Sequence, residues 1–300
     1  EAAGIMLAQQ LLNGVVVGAV YALFSLGLTL VFGMHRILNL AHGAVFMWGA
    51  LIGYFAVTLA GLPLWAAFIV AVFGAGLVSV ALELCVFRPL RRHQGDEFGT
   101  IVASIGANLI LMQLAQQATN AQTLRFPFGI FPILFYDIAG LRVSLQQLVI
   151  LGAVAVIVVA LLAFLFKTSL GSEARAVAVD ERTSMLLGVN PGKVYLTSFL
   201  IAGMLAGAAG VILGVAFNSV SYVMGDAVML QAFVVIVLGG LGSVTGAVLA
   251  GILIGMIQTL TTAYISTELS DAVVFGLLFV VLLIRPDGFF AGLHTEYRVA

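Results

Sequence analysis

Charge is scarce in this 300-residue sequence, where Asp, Glu, Lys and Arg together make up 8%. A soluble domain carries about 25%, so most of this chain's surface faces something other than water. Cysteine is rarer still. Cys85 stands alone, which excludes an internal disulfide, and the four histidines, His35, His42, His93 and His294, are too far apart to form a zinc ligand set. No metal is expected. A net charge of −1 leaves no basic surface able to neutralise a run of phosphates, which excludes nucleic acid as a partner. Proline is limited to six residues and linker-like stretches are almost missing, as in one continuous domain over 1–300. Enzyme signatures are lacking as well. There is no H-E-x-x-H, and the order around Gly242 and Ser243 does not give the G-x-S-x-G of a nucleophile elbow.

What is present is apolar: 62% of residues are hydrophobic and the mean hydropathy is +1.20. Apolar runs fall at 11–33, 40–61, 63–87, 99–118, 144–166, 196–217, 228–241, 245–265 and 271–285. Lipid offers a backbone no hydrogen-bond partners, so such runs become helices. The expected fold is therefore all-α, a polytopic transmembrane bundle of about eight to ten spans with broken or re-entrant segments. The residues before the first run lack the basic stretch of a cleaved leader, and that run is longer than a leader's core, so it is expected to remain as the first span. Alternate threading puts Arg36, Arg88, Arg91, Arg92, Lys167, Arg175, Arg182, Lys193, Arg285 and Arg298 on one side, leaving only Arg125 and Arg142 on the other. The basic side is cytoplasmic, and the amino terminus lies outside. The run at 228–241 is short and Asn39–Gly43 interrupts the run before it, so re-entry of either would change the span count.

The 34 glycines include G-x-x-x-G pairs at Gly14/Gly18, Gly49/Gly53, Gly203/Gly207, Gly210/Gly214, Gly242/Gly246 and Gly251/Gly255. Each makes a flat groove for a second backbone, within this bundle or on another subunit. A weak internal echo links the halves: in each, a Gly-rich span leads through a polar break into a short span. Asn39 and His42 mark the first break, and Asn218, Ser219, Ser221 and Asp226 the second. Polar groups at membrane depth are costly unless paired or hydrated and tend to line pathways. Asn39, His42, Asn218 and Ser221 are thus candidate route residues, with helix capping or core packing as the competing role. In "GGLGS" (239–243), Gly239, Gly240 and Gly242 permit a sharp turn or a close backbone approach, again in a structural or a pathway role. Glu83 lies one turn inside from Arg88, Arg91 and Arg92 and is expected to snorkel towards them, a proton-carrier role being the rival. Asp226 and Asp271 fall at outer ends.

Segment 171–190, "GSEARAVAVDERTSMLLGVN", gathers Glu173, Arg175, Asp180, Glu181 and Arg182 within ten residues. It reads as a helix over about 172–179 and a second over about 181–187. Asp180 caps the second, Gly188 ends it, and Pro191 stops further winding. Met185, Leu186 and Leu187 make an apolar tip rimmed by charge, suited either to a groove on another protein or to folding back on its own bundle. "GVNPGKV" (188–194) misses the phosphate loop, since three residues separate Gly188 from Gly192 and Val194 follows Lys193.

Segment 171–190 resembles the coupling loop of ABC importer permeases, in the form found in branched-chain amino-acid (LivH/LivM-type) permeases. The likeness continues through "LLNGVVVGAVYALFSLGLTLVFG" (11–33), "ILNLAHG" (37–43), "VFRPLRR" (86–92), "AGMLAGAAGVILG" (202–214), "VLGGLGSVTGAVLAG" (237–251) and "YISTELSDAVVFGLLFVVLLIRPDG" (264–288). It implies a LivH-like inner-membrane subunit of a bacterial importer, with a cytoplasmic coupling loop at 167–195. Gly171, Glu173, Ala174, Arg175, Asp180, Glu181, Arg182, Leu187 and Gly188 would engage the ATPase. The implied partners are a LivM-like second permease, two LivG/LivF-like ATPase subunits and a periplasmic binding protein. ATP and magnesium belong on the ATPases, so no cofactor is expected in this chain. Branched-chain or other small neutral amino acids are the implied solutes, with urea or short amides next and an ion-coupled secondary transporter as the reading from another class. Ser172 departs from a position that is often basic in the family, and Ser184 from one that is often alanine.

Overall fold

The computed structural model describes residues 2–92, 97–127, 129–132, 134–138, 140–285 and 288–289. His93, His294, Arg298 and the Pro286–Asp287 pair of the last resembling segment lie outside them. Helices α1 (Ala2–His35), α2 (His42–Thr58) and α3 (Leu64–Leu82) are followed by a π turn (Glu83–Phe87), α4 (Arg88–Arg92) and α5 (Glu97–Thr119). A hairpin, β1 (Phe135–Ile138) and β2 (Leu141–Ser144), precedes α6 (Leu145–Lys167). Then come α7 (Ser169–Val179), α8 (Glu181–Leu186), α9 (Pro191–Ala216), α10 (Met224–Gly239), α11 (Val244–Tyr264) and α12 (Thr267–Ile284).

Among the described residues, seven helical stretches are long and apolar enough to cross a membrane: Gly4–His35, Leu64–Arg91, Phe98–Thr119, Leu145–Lys167, Pro191–Ala216, Val244–Tyr264 and Thr267–Ile284. The two apolar segments that fall short are α2, with 17 residues, and α10, with 16. At ~1.5 Å per residue they reach about 25 Å, less than a hydrocarbon core of about 30 Å. The nine expected segments are therefore all helical, but they divide into seven full spans and two short helices. Each short helix follows a polar break in which one non-glycine residue takes a left-handed backbone, Arg36 at φ 55° and Asn218 at φ 46°. The echo between the halves is thus seen in backbone geometry.

The chain divides into two compact units. In the first (Glu1–Thr29, Phe128–Ala155, Leu230–Ala300), α11 packs against α12. There the glycine grooves of α1 and α11 interlock. A methyl built on Gly18 would lie 2.6 Å from Ile252 Cα, and one on Gly251 2.7 Å from Ala22 Cα. The hairpin belongs to this unit and pairs Asp137 with Arg142 in register. Apolar alternation in short strands is hard to separate from loop in an already apolar sequence, and the hairpin was not anticipated.

In the second unit (Leu30–Pro127, Val156–Met229), α2, α3 and α9 pack on one another. Phe46, Phe87, Phe199, Met47 and Leu51 are fully buried there. Gly49 of α2 stands against Gly207 of α9, and Gly203 and Gly207 of α9 against Ala75 of α3. Most G-x-x-x-G pairs therefore serve packing inside the chain. Gly242/Gly246 departs from the pattern, because Gly242 sits at φ 88° in the turn before α11 and contributes no helix groove.

Candidate functional site

Segment 167–195 folds as two helices, but the first starts earlier than expected. The Thr168 hydroxyl caps α7 by accepting from the Gly171 N–H at 3.0 Å, which satisfies one orphan donor of the first turn. Gly171 is at the elbow between α6 and α7, where a methyl would lie 2.7 Å from Leu165 Cα. Gly171, Ala174 and Val177 recur every third residue on the buried side of α7. Ala174 and Val177 form a small core with Val194 and Tyr195 of α9, and Met34 and Val189 pack against it.

Asp180 ends α7 and caps α8, as expected. Its carboxylate accepts from the backbone N–H of Arg182 at 2.8 Å and of Thr183 at 3.2 Å, and from the Thr183 hydroxyl at 2.7 Å. These bonds, led by the Thr183 hydroxyl, hold the acid below the usual carboxylate range. Gly188 has φ 89°, the left-handed ending expected of it. Pro191 does more than stop the winding. It opens α9 at the first helical position, with Asn190 as cap, where its missing N–H costs nothing. The element directly before 188–194 is α8, not a strand, so the near-miss phosphate loop is a helix junction.

On the outer side, Leu186 is 88% exposed, Leu187 79% and Met185 48%. They do not fold back on the described parts of the chain. Glu181, Arg182 and Arg175 are exposed beside them and Glu173 is half-buried. The Arg175 guanidinium lies 4.9 Å over the Phe166 ring and donates to the Ser172 hydroxyl at 3.3 Å. Ser184 is buried, its hydroxyl donating to the Asp180 carbonyl at 2.7 Å. Both departures from the family pattern thus have local partners.

The candidate route residues fall into two groups, one in each unit. In the second unit, Asn39 and His42 are fully buried. The Asn39 side-chain carbonyl accepts from the Ala41 N–H at 3.1 Å, while its amide nitrogen meets no acceptor among the described residues. Asn218, half-buried, likewise keeps an unpartnered side-chain oxygen. Ser221 lies in the turn leading to α10, where its carbonyl accepts from the Met224 N–H at 3.3 Å. Gly43 and Gly225, each the second residue of its short helix, meet backbone to backbone, with 2.8 Å from a methyl on Gly43 to Gly225 O. Asp226 accepts from the Asn108 amide at 3.1 Å.

The other group builds a turn in the first unit. Gly240 and Gly242 have φ 87° and 88°, and a methyl on Gly239 would lie 2.6 Å from the Gly246 backbone. Ser243 then caps α11 by accepting from the Gly246 N–H at 3.0 Å. Asp271, in the same unit, accepts from the Gln231 amide at 2.8 Å.

Glu83 does reach towards the arginines as expected, pairing with Arg91, but it does so from a buried position and not by snorkelling outwards. It is 1% exposed and ion-paired with Arg91, which also donates to its second oxygen at 3.2 Å. The Arg88 N–H reaches back to the Glu83 carbonyl, and this i→i+5 bond widens the helix between them. Tyr195 and His35, both touching this pair, were missed as functional candidates. No spacing in the sequence links them to Arg91.

Comparison with known proteins gives the chain a family. A family model described as "Branched-chain amino acid transport system / permease component" matches residues 10–282. The chain is 32% identical over 291 residues to the high-affinity branched-chain amino acid transport system permease protein BraD of Pseudomonas aeruginosa, covering 93% of this chain and 94% of that protein. It is 31% identical to LivH of Escherichia coli K12, with the same coverage. The permease LivM of Salmonella typhimurium is 26% identical over 297 residues, covering 90% of this chain and 67% of LivM. With the family model matching residues 10–282 and relatives above 30% identity covering 93% of the sequence, the chain belongs to the branched-chain amino acid transport system permease family.

Proposed function

We propose that this chain is the LivH-like permease subunit of an ATP-driven bacterial ABC importer, set in the inner membrane and carrying branched-chain or other small neutral amino acids into the cytoplasm. The observation that carries the reading is the apolar tip at Met185, Leu186 and Leu187, exposed on a doubly capped loop whose other face is packed. Rigid presentation of apolar anchors with charge around them suits a groove on another protein. That partner is an ATPase subunit, engaged by Gly171, Glu173, Ala174, Arg175, Asp180, Glu181, Arg182, Leu187 and Gly188. Ala174 and Gly171 act from the packed side by holding α7 in place. ATP and magnesium bind on the ATPases, and closure of the ATPase pair shifts the permeases between inward-open and outward-open populations.

A second, LivM-like permease completes the pore, a pairing supported by the likeness of this one chain to both LivH and LivM. A periplasmic binding protein delivers the solute. The route passes the breaks at Asn39/His42 and Asn218/Ser221, where the side-chain nitrogen of buried Asn39 and the side-chain oxygen of half-buried Asn218 still have capacity to bond. The glycine turn, with left-handed backbone at Gly240 and Gly242 beside Gly239, is proposed as a further route element within its own unit. The relatives' branched-chain amino acid names favour those solutes over urea or amides. The ion-coupled alternative loses its candidate acid, because Glu83 is held by Arg91.

The test is a pull-down of the ATPase subunits by the Leu186→Glu variant. Burying a leucine contributes about 1.5–3 kcal/mol, so binding should weaken by at least ~10-fold. Unaltered binding would refute the docking assignment.

A further inference from the structure

Directly behind the small core of α7 lies a knot of four side chains from four stretches of chain. His35 ends α1, Glu83 opens the π turn, Arg91 belongs to α4 and Tyr195 to the first turns of α9. Arg91 touches all the others. It is ion-paired with Glu83, one guanidinium nitrogen stands 3.1 Å from His35 Nδ1, and its carbon lies 4.4 Å over the centre of the Tyr195 ring. The His35 and Tyr195 rings are 4.0 Å apart. Phe199, one turn further along α9, meets His35 edge-on at 5.2 Å and Phe87 of the π turn at 5.1 Å.

Each contact is of a kind that fixes orientation. A guanidinium pairs with a carboxylate through a rigid fork and at the same time stacks its flat face on an aromatic ring. Glu83 is almost wholly buried, so its charge holds Arg91 in place: leaving it unpaired there is strongly unfavourable. The π turn places Glu83 and Phe87 on the same buried side. Tyr195 has a second role, since its ring is also part of the core formed with Ala174 and Val177 of α7. One ring therefore touches both the loop's packing and the ends of two long spans.

We infer that Arg91 is a positioning residue for coupling, locking the Tyr195 ring beneath α7 to Glu83 and His35. Displacement of α7 and α8 is thereby delivered as one rigid joint to the cytoplasmic ends of α1, α3 and α9. This rests on the importer reading above. Without the joint, α7 would slide on its small apolar core while the spans stayed put. Although Tyr195 also bonds Glu181 beside them, the ATPases would still bind through Met185, Leu186 and Leu187, which the joint does not touch, but their stroke would be dissipated.

The test uses the complete importer, with both permeases, the ATPases and the binding protein, in proteoliposomes with leucine as probe. It reads uptake per ATP hydrolysed. Tyr195→Leu keeps apolar bulk in the core but removes the ring. Glu83→Gln combined with Arg91→Met removes the pair without stranding a buried charge. Tyr195→Phe keeps the ring. Uptake per ATP should fall by about 10-fold in the first two, within the range typical of coupling between separate sites, with ATPase subunits still co-purifying. Tyr195→Phe should restore coupling. Wild-type coupling in both disruptive variants would overturn the joint, and so would loss of the ATPase subunits from those complexes, which would make the knot part of docking. Failure of the unmodified complex to drive uptake with ATP is a different result, and it would sink the importer reading itself.

Discussion

At the scale of single residues, the capped segment 167–195 is held by short-range bonds that titrate in a defined direction. The Asp180 carboxylate accepts three hydrogen bonds, and these hold its acidity below the ordinary carboxylate range. A folded acid with a depressed pKa contributes stability that is full above the unfolded pKa, near 4 for Asp, and is lost as pH falls through the lower folded value. The cap should therefore survive mild acid and release only below that ordinary range. Protection of the 181–186 amides against hydrogen exchange should be flat from neutral pH down to about 4 and then fall. In Asp180→Asn the fall should vanish, because an amide oxygen caps without titrating. A decline centred near neutral pH in the unmodified chain would contradict the assignment. This cap was legible in sequence, being local: Asp180, the helix it opens and Gly188 lie within nine residues. The Arg91 knot was not. Its partners stand 8, 56 and about 100 positions away, brought together only by packing that no local spacing encodes.

At the scale of elements, glycine fixes how closely helices approach. Gly210 of α9 lies against the carbonyl of Phe46 and 3.2 Å, measured from a built methyl, from the Ala50 nitrogen of α2. Backbone on both sides leaves nothing flexible to yield. Gly152 of α6 has no atom within 4 Å of such a methyl. Gly210→Ala should thus lower the stability of the purified chain by about 1–3 kcal/mol. Gly152→Ala should leave it unchanged or raise it by up to about 1 kcal/mol through helix propensity. Thermal unfolding in detergent reads both, and equal effects would contradict the packing described. The sequence showed Gly210 paired with Gly214 without saying which face they served, because a G-x-x-x-G groove looks the same against a neighbour helix or a second subunit. The short α10 was legible from its run length, whereas α2 was marked only by the polar break at Asn39–Gly43, since its run at 40–61 was long enough to span. The hairpin at 135–144 was hidden, because alternation is faint where nearly every residue is apolar.

At the scale of the whole molecule, the composition pointed to a polytopic helical bundle, and the apolar runs located nine of its helices, most of them to within a few residues although α1 starts nine residues before its run. What remained hidden is the packing that ties the loop to the ends of the spans. The chain presents an exposed apolar tip on a charged loop and lacks a phosphate loop, while amide groups at two helix breaks still have capacity to bond. The function proposed for this combination is that of a pore worked by a partner's energy. The central claim is tested most directly in liposomes, by comparing leucine accumulation by this chain alone with that by the complete assembly of both permeases, ATPases and binding protein, with and without ATP. Accumulation should require the full assembly and ATP, and should collapse when Leu186 and Leu187 are both replaced by Glu. Accumulation by the chain alone, or undiminished ATP-driven accumulation with the charged tip, would contradict the account.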